Sequence, residues 1–195
     1  MVIQAVSKRL PFRHTDWKIW DKDKAEGSIF ISNHIETMKA VLTKMDQVGK
    51  EIVVIDDLNY ALMQRVLDEA DVTGFAKWTV LGADFNSLLT HIDTLSENMR
   101  VYLMAHTEIE DGYTVFKAPG KLIKEKLGVE GMSTIVLGAS KSSDTAHFIT
   151  NGSSLQPFKT PIDMFKEKEV PNDLARVDEV ICEFYGIKSN MKNKK

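Results

Sequence analysis

The feature that most constrains this chain is Ile52-Val-Val-Ile55, an unbroken apolar run that ends in Asp56-Asp57. Four apolar residues in succession suit a strand covered on both faces, as in a parallel sheet. A second run, residues 100–105, ends at His106-Thr107-Glu108. Between the two runs, residues 58–70 and 77–97 carry helical patterns. The order strand, helix, strand predicts an α/β domain with a mostly parallel sheet.

The flanking segments add smaller elements. Residues 2–6 and 28–32 read as short strands, separated by a polar loop over 13–27 that carries Trp17 and Trp20. Ile35, Met38, Val41, Leu42 and Met45 fall on one helical face, with Gly49 as the stop. Residues 107–117 predict a hairpin turning at Asp111-Gly112. A short helix over 121–127 and strands over 134–137 and 147–150 follow. A last helix spans 172–185, with Pro171 ahead and Gly186 behind. The organisation is one domain over residues 1–187 and a basic, disordered tail over 188–195.

Composition narrows the function classes. Of the 195 residues, 43% are hydrophobic and 27% charged, which excludes a wholly disordered or fibrous chain. The net charge of −3 gives no general attraction to nucleic acid, so any DNA contact needs a local basic patch. Lys8, Arg9 and Arg13, or Lys121, Lys124 and Lys126, either contact phosphates or form solvated faces. The single cysteine, Cys182, excludes an internal disulfide and a cysteine metal cluster and fits a reducing cytoplasm. It shares the apolar side of the last helix with Val177, Val180, Ile181 and Phe184. No run is long enough to cross a bilayer, so no membrane partner and a cytoplasmic location are expected.

Chemistry is expected where the two apolar strands end, because ligands of open α/β sheets bind at the carboxyl edge. Asp56 and Asp57 there either help hold Mg²⁺ at nucleotide phosphates or cap the helix that starts near Leu58. His106 and Glu108 end the next strand and either sense a phosphate and position a water, or hydrogen-bond locally at a turn. The five histidines show no metal-ligand spacing. No Gly-x-x-x-x-Gly-Lys-Ser/Thr occurs: Gly49-Lys50 and Gly120-Lys121 lack both the upstream glycine and the following hydroxyl residue. The backbone cradle for β- and γ-phosphates is therefore missing from these residues.

From Ile3 to Ile187 the chain resembles the RecA-like ATP-binding proteins of bacteriophages, the group that includes single-strand annealing recombinases. The matching features run in order through Lys8-Arg-Leu-Pro-Phe12, Ile52-Val-Val-Ile-Asp-Asp57, Ala105-His-Thr-Glu108 and Gly120-Lys-Leu122. They continue through Glu130-Gly-Met132, Phe148-Ile-Thr-Asn151, Pro161-Ile-Asp-Met-Phe165 and Asn172-Asp-Leu174. The resemblance implies a RecA-like P-loop NTPase core, truncated before its phosphate-loop strand and helix, with a β-rich part and a final helix. It implies ATP-dependent handling of single-stranded DNA, with Asp56 as the Mg²⁺-site residue and Asp57, His106 and Glu108 as catalytic candidates. With the loop absent, no cofactor is expected for the chain alone, and Mg-ATP only if a loop is supplied elsewhere.

Three readings follow. The first is a degenerate RecA-like protein acting as a protein- or DNA-binding accessory factor or inhibitor. The second is a subunit of a recombination ATPase whose loop lies upstream or on another chain. The third is an unrelated α/β enzyme using Asp56, Asp57 and His106 with a metal. The first two involve a protein partner or homo-oligomer, with single-stranded DNA as a further ligand. Trp17 and Trp20 are the aromatic anchors expected at a partner surface, or else they seal the core.

Overall fold

The computed structural model describes residues 2–6, 18–21, 23–24, 26–71, 73–74, 76–120, 128–142 and 144–188, with the backbone alone for 2–6 and 76. Trp17, the basic residues 8, 9 and 13, the helix expected over 121–127 and the tail over 189–195 lie outside the described residues. Among the described residues the architecture is mixed α/β with three small sheets.

The main sheet has the order β2-β1-β3-β4, from β1 (Val2–Val6), β2 (Ile29–Ile31), β3 (Ile52–Ile55) and β4 (Arg100–Leu103). β3 and β4 are parallel, as the apolar runs predict, with Ile55 opposite Leu103. The mostly parallel sheet is not found, because β1 runs antiparallel to both β2 and β3. β2, β3 and β4 point the same way, with helical segments joining each to the next, and β1 is inserted between β2 and β3 in the opposite sense.

Period-two alternation divides the core between the two faces of β3. Val53 and Ile55 pack on one side with Met38 and Leu42 of α1 (Ile35–Gln47), Leu62 of α2 (Leu58–Asp68) and Phe85 of α3 (Ala76–Ile92). Ile52 and Val54 face the other side, against Tyr102 and Leu174. All four β3 residues are buried, which accounts for the unbroken apolar run. Each large apolar side chain so buried contributes about 1.5–3 kcal/mol.

α3 is shorter than the expected 77–97. It stops at Ile92, where Thr94 N–H bonds back to His91 O at 3.0 Å. Ser96 N–H then donates to Asp46 Oδ2 at 3.1 Å, drawing the chain across to α1.

β5 (Thr107–Glu110) and β6 (Tyr113–Phe116) form the expected hairpin. Its two turn residues, Asp111 and Gly112, both have positive φ, the type I′ requirement. Phe116 anchors the hairpin by stacking on Phe85, with ring centroids 6.1 Å apart.

After the four-residue helix α4 (Val129–Met132), the third sheet pairs β7 (Gly138–Ser142), β8 (Thr145–Ile149) and β9 (Glu169–Pro171), all antiparallel. The strand expected over 134–137 is only an isolated bridge between Val136 and Lys159. Ile135 and Leu137 still pack on the core around Met164, Val177 and Ile181, so the alternation is real although the ladder starts at Gly138.

α5 (Leu174–Tyr185) begins at Asp173, whose Oδ1 accepts from Ala175 N at 3.0 Å and Arg176 N at 3.2 Å. It ends at Gly186, φ 66°. Its apolar side bridges the main sheet and the third sheet through Leu174, Val177 and Ile181.

Candidate functional site at the carboxyl edge

The parallel pairing of β3 and β4 brings their carboxyl ends to one edge. The ladder continues past both strands: Met104 N–H donates to Ile55 O at 2.9 Å, and Leu58 N–H to Met104 O at 2.9 Å. These bonds set the start of α2 beside the segment leaving β4.

Asp57 occupies the N-cap position of α2 with left-handed backbone, φ 58° and ψ 55°. An N-cap aspartate ordinarily accepts from the first-turn amides. Asp57 makes no such bond, which removes the capping explanation for this residue. Its Oδ1 is enclosed and makes no hydrogen bond, and it faces His106 Nε2 at 3.5 Å. His106 is 67% exposed, so water screens the pair and its contribution to stability is about 0–1 kcal/mol.

The other candidates sit differently. Asp56 is exposed at the end of β3. Glu108 lies inside β5, half-buried and opposite Val115, so it travels with the hairpin. Trp20 is half-buried against the main core, where Gly27 makes room for it. Gly27 has φ 121°, and a Cβ there would fall 2.6 Å from Trp20 Cα. Trp20 thus packs beside β2 with part of its surface still open.

Sequence reading missed Asn59. Its Oδ1 accepts from His106 N–H at 2.6 Å, and its Nδ2 donates to Lys117 O and lies 3.5 Å from His106 O. Lys117 N–H closes the same ring by donating to His106 O at 3.0 Å. One side chain in the first turn of α2 therefore holds both ends of the hairpin. An asparagine directly after an Asp-Asp-Leu helix start was its only mark in the sequence.

A second polar cluster lies toward the opposite end of β4. Arg100 gives a two-pronged contact to Asp178 of α5, Nε to Oδ1 at 2.7 Å and Nη2 to Oδ2 at 2.8 Å. Tyr102 O–H adds a third bond at 2.6 Å. Burial, reinforced by the Asp178 charge, raises the Tyr102 hydroxyl pKa. The same two effects push the Cys182 thiol up to about 11. Burial works against the Arg100 charge, and the Asp178 contacts outweigh it, so its pKa rises. Every member has a partner within the cluster, which marks it as a structural tie between α5 and the sheet.

The edge does not form an all-protein metal cage, since no three His, Cys, Asp or Glu side chains come together among the described residues. Mg²⁺ needs less, because it keeps waters and phosphate oxygens and takes one or two carboxylates. Asp56, exposed at the edge, offers a carboxylate of that kind.

No helix among the described residues is long and apolar enough to cross a membrane. Comparison with protein-family models, curated proteins and solved structures finds no match for this chain.

Proposed function

We propose that this chain is a degenerate RecA-like protein of the bacteriophage kind, acting as a protein- or DNA-binding accessory factor or inhibitor and not as an ATPase by itself. The observation that carries the reading is a mismatch. The acid–imidazole edge is present, with Asp57 and His106 3.5 Å apart. No phosphate-cradling Gly-x-x-x-x-Gly-Lys-Ser/Thr accompanies it in the 195 residues. Asp56, Asp57 and His106 alone provide no backbone amides to hold a triphosphate.

A partner surface supports the binding role. Tyr60, Met63 and Leu67 lie at i, i+3 and i+7 along α2 and are 62%, 47% and 59% exposed. A contiguous exposed apolar ridge is a common mark of an interaction surface. The ridge starts one turn from Asp57.

A second reading is favoured by one observation. Asp57 keeps a left-handed backbone and an uncapped carboxylate, an arrangement that serves a ligand better than a helix end. On this reading the chain supplies the acidic half of a magnesium–nucleotide site, and a loop on another chain or upstream supplies the rest. Bound Mg²⁺ would offset phosphate charge beside Asp56, while His106 and Asp57 hold a proton or a water at the edge. Glu108 would act from the hairpin.

Phosphate release from ATP in the presence of single-stranded DNA tests the choice. The first reading expects no release above background from the chain alone, and none beyond that of a loop-bearing RecA-like protein when the chain is added to it. Release in the mixture above that of the loop-bearing protein alone, with the excess lost in Asp57→Asn, selects the second.

A further inference from the structure

We infer that Asn59 is a positioning residue for the edge, clamping the base of the β5–β6 hairpin so that His106 is delivered to Asp57. The inference rests on the carboxyl edge being the functional site, but its geometry stands without any ligand. His106 ends a three-residue connection, Met104 to His106, whose first residue still bonds to Ile55 and Leu58 while His106 is carried over to the hairpin. Its side chain is mostly exposed, so packing does not hold the imidazole in place.

What holds the segment is a set of backbone contacts. The Asn59 Oδ1 takes the His106 amide at 2.6 Å. Asn59 Nδ2 meets the carbonyls of Lys117 and His106, and Lys117 N–H meets His106 O at 3.0 Å. Only a side-chain amide does both, because it carries an acceptor and a two-proton donor on one plane. Asn59 is fixed in turn by α2, whose first amide is tied to Met104 O. The Asp57 carboxylate and the Asn59 amide thus share one helical turn, and the distance from acid to imidazole is set by that turn. A contact made on the hairpin would reach His106 through the same clamp.

The test compares Asn59→Ala with Asn59→Asp by amide hydrogen exchange and by the ring signals of His106 in NMR spectra, without nucleotide. Exchange at Val53–Ile55 of β3 serves as the internal measure of global stability. In Asn59→Ala the His106 amide is expected to exchange about tenfold faster or more, with β3 unchanged, the equivalent of losing a ~1.4 kcal/mol hydrogen bond. The His106 ring signals are expected to move with it. Asn59→Asp keeps the acceptor for the His106 amide and loses the donor to the Lys117 and His106 carbonyls, so the His106 amide should stay within about threefold of the parent. Should Asn59→Ala fail to fold, the aspartate variant decides: retained His106 protection and ring signals support the clamp, and their loss overturns it. In a folded Asn59→Ala, an unchanged His106 amide or unmoved ring signals also overturn it. None of these outcomes depends on whether the chain binds nucleotide, so the clamp and the proposed function fail separately.

Discussion

Asp57 and His106 face each other across 3.5 Å because two parallel strands end side by side and a helix starts in the gap. Asp57 reaches that place with φ 58°, a conformation that L residues other than Asn and Asp seldom adopt. Glycine adopts it freely, while alanine has neither the freedom nor a local oxygen. Asp57→Gly is therefore expected to be more stable than Asp57→Ala by about 1 kcal/mol. Urea midpoints of the two variants measure the difference. Equal midpoints, or the reverse order, would mean that the backbone is not held left-handed.

Arg100 and Asp178 carry the largest single-site effect. Asp178 is fully buried and Arg100 is 8% exposed. Asp178→Ala strands a buried guanidinium and should cost about 3–5 kcal/mol. Replacing both, as in Arg100→Met with Asp178→Leu, should recover much of that loss, because neither charge remains to be desolvated. Denaturant unfolding of the single and double variants decides, and a double variant no better than Asp178→Ala would count against the tie.

How much of this was legible in the sequence follows the range of the forces. Period-two and 3.6 patterns report burial, so β3, α1 and the two faces of the sheet were readable from Val53, Ile55 and Met38. The Asp111-Gly112 turn is a local steric requirement and was readable too. The antiparallel entry of β1 was not, because short apolar strands carry no direction in their composition. Asp178 was hidden among the apolar positions of α5, since its partner Arg100 lies in a distant strand. The Asp57–His106 meeting was expected from the two strand ends, whereas the loss of the cap bond and the Asn59 clamp depend on single dihedrals and side-chain reach that no pattern records.

The alkaline limb of stability has a definite sign. The folded-state pKa of Cys182 is raised from 9.0 to about 11, by burial first and by Asp178 second. The folded chain then holds that proton more tightly than the unfolded one. The stability it lends is complete below pH 9 and is lost as pH rises toward 11. Tyr102 is shifted in the same direction. Urea midpoints from pH 8 to pH 11 should fall, and fall less steeply in Cys182→Ala. A limb unaffected by that substitution would assign the loss elsewhere.

The α2 ridge predicts association. Glutamate at Met63 and Leu67 should leave unfolding within about 0.5 kcal/mol of the parent, since both side chains are exposed. The same double variant should lower the mass seen by light scattering, or abolish capture of a partner. An unchanged mass with unchanged partner binding would remove the ridge from the interface.

The central claim is that this chain carries a nucleotide-type acidic edge without the means to hold a triphosphate. Isothermal titration of the purified 195-residue chain with Mg-ATP tests it most directly. No saturable binding is expected at micromolar concentrations, in the parent or in Asp56→Asn and Asp57→Asn. A micromolar dissociation constant that weakens in those two variants would contradict the claim and make the chain a nucleotide-binding protein in its own right.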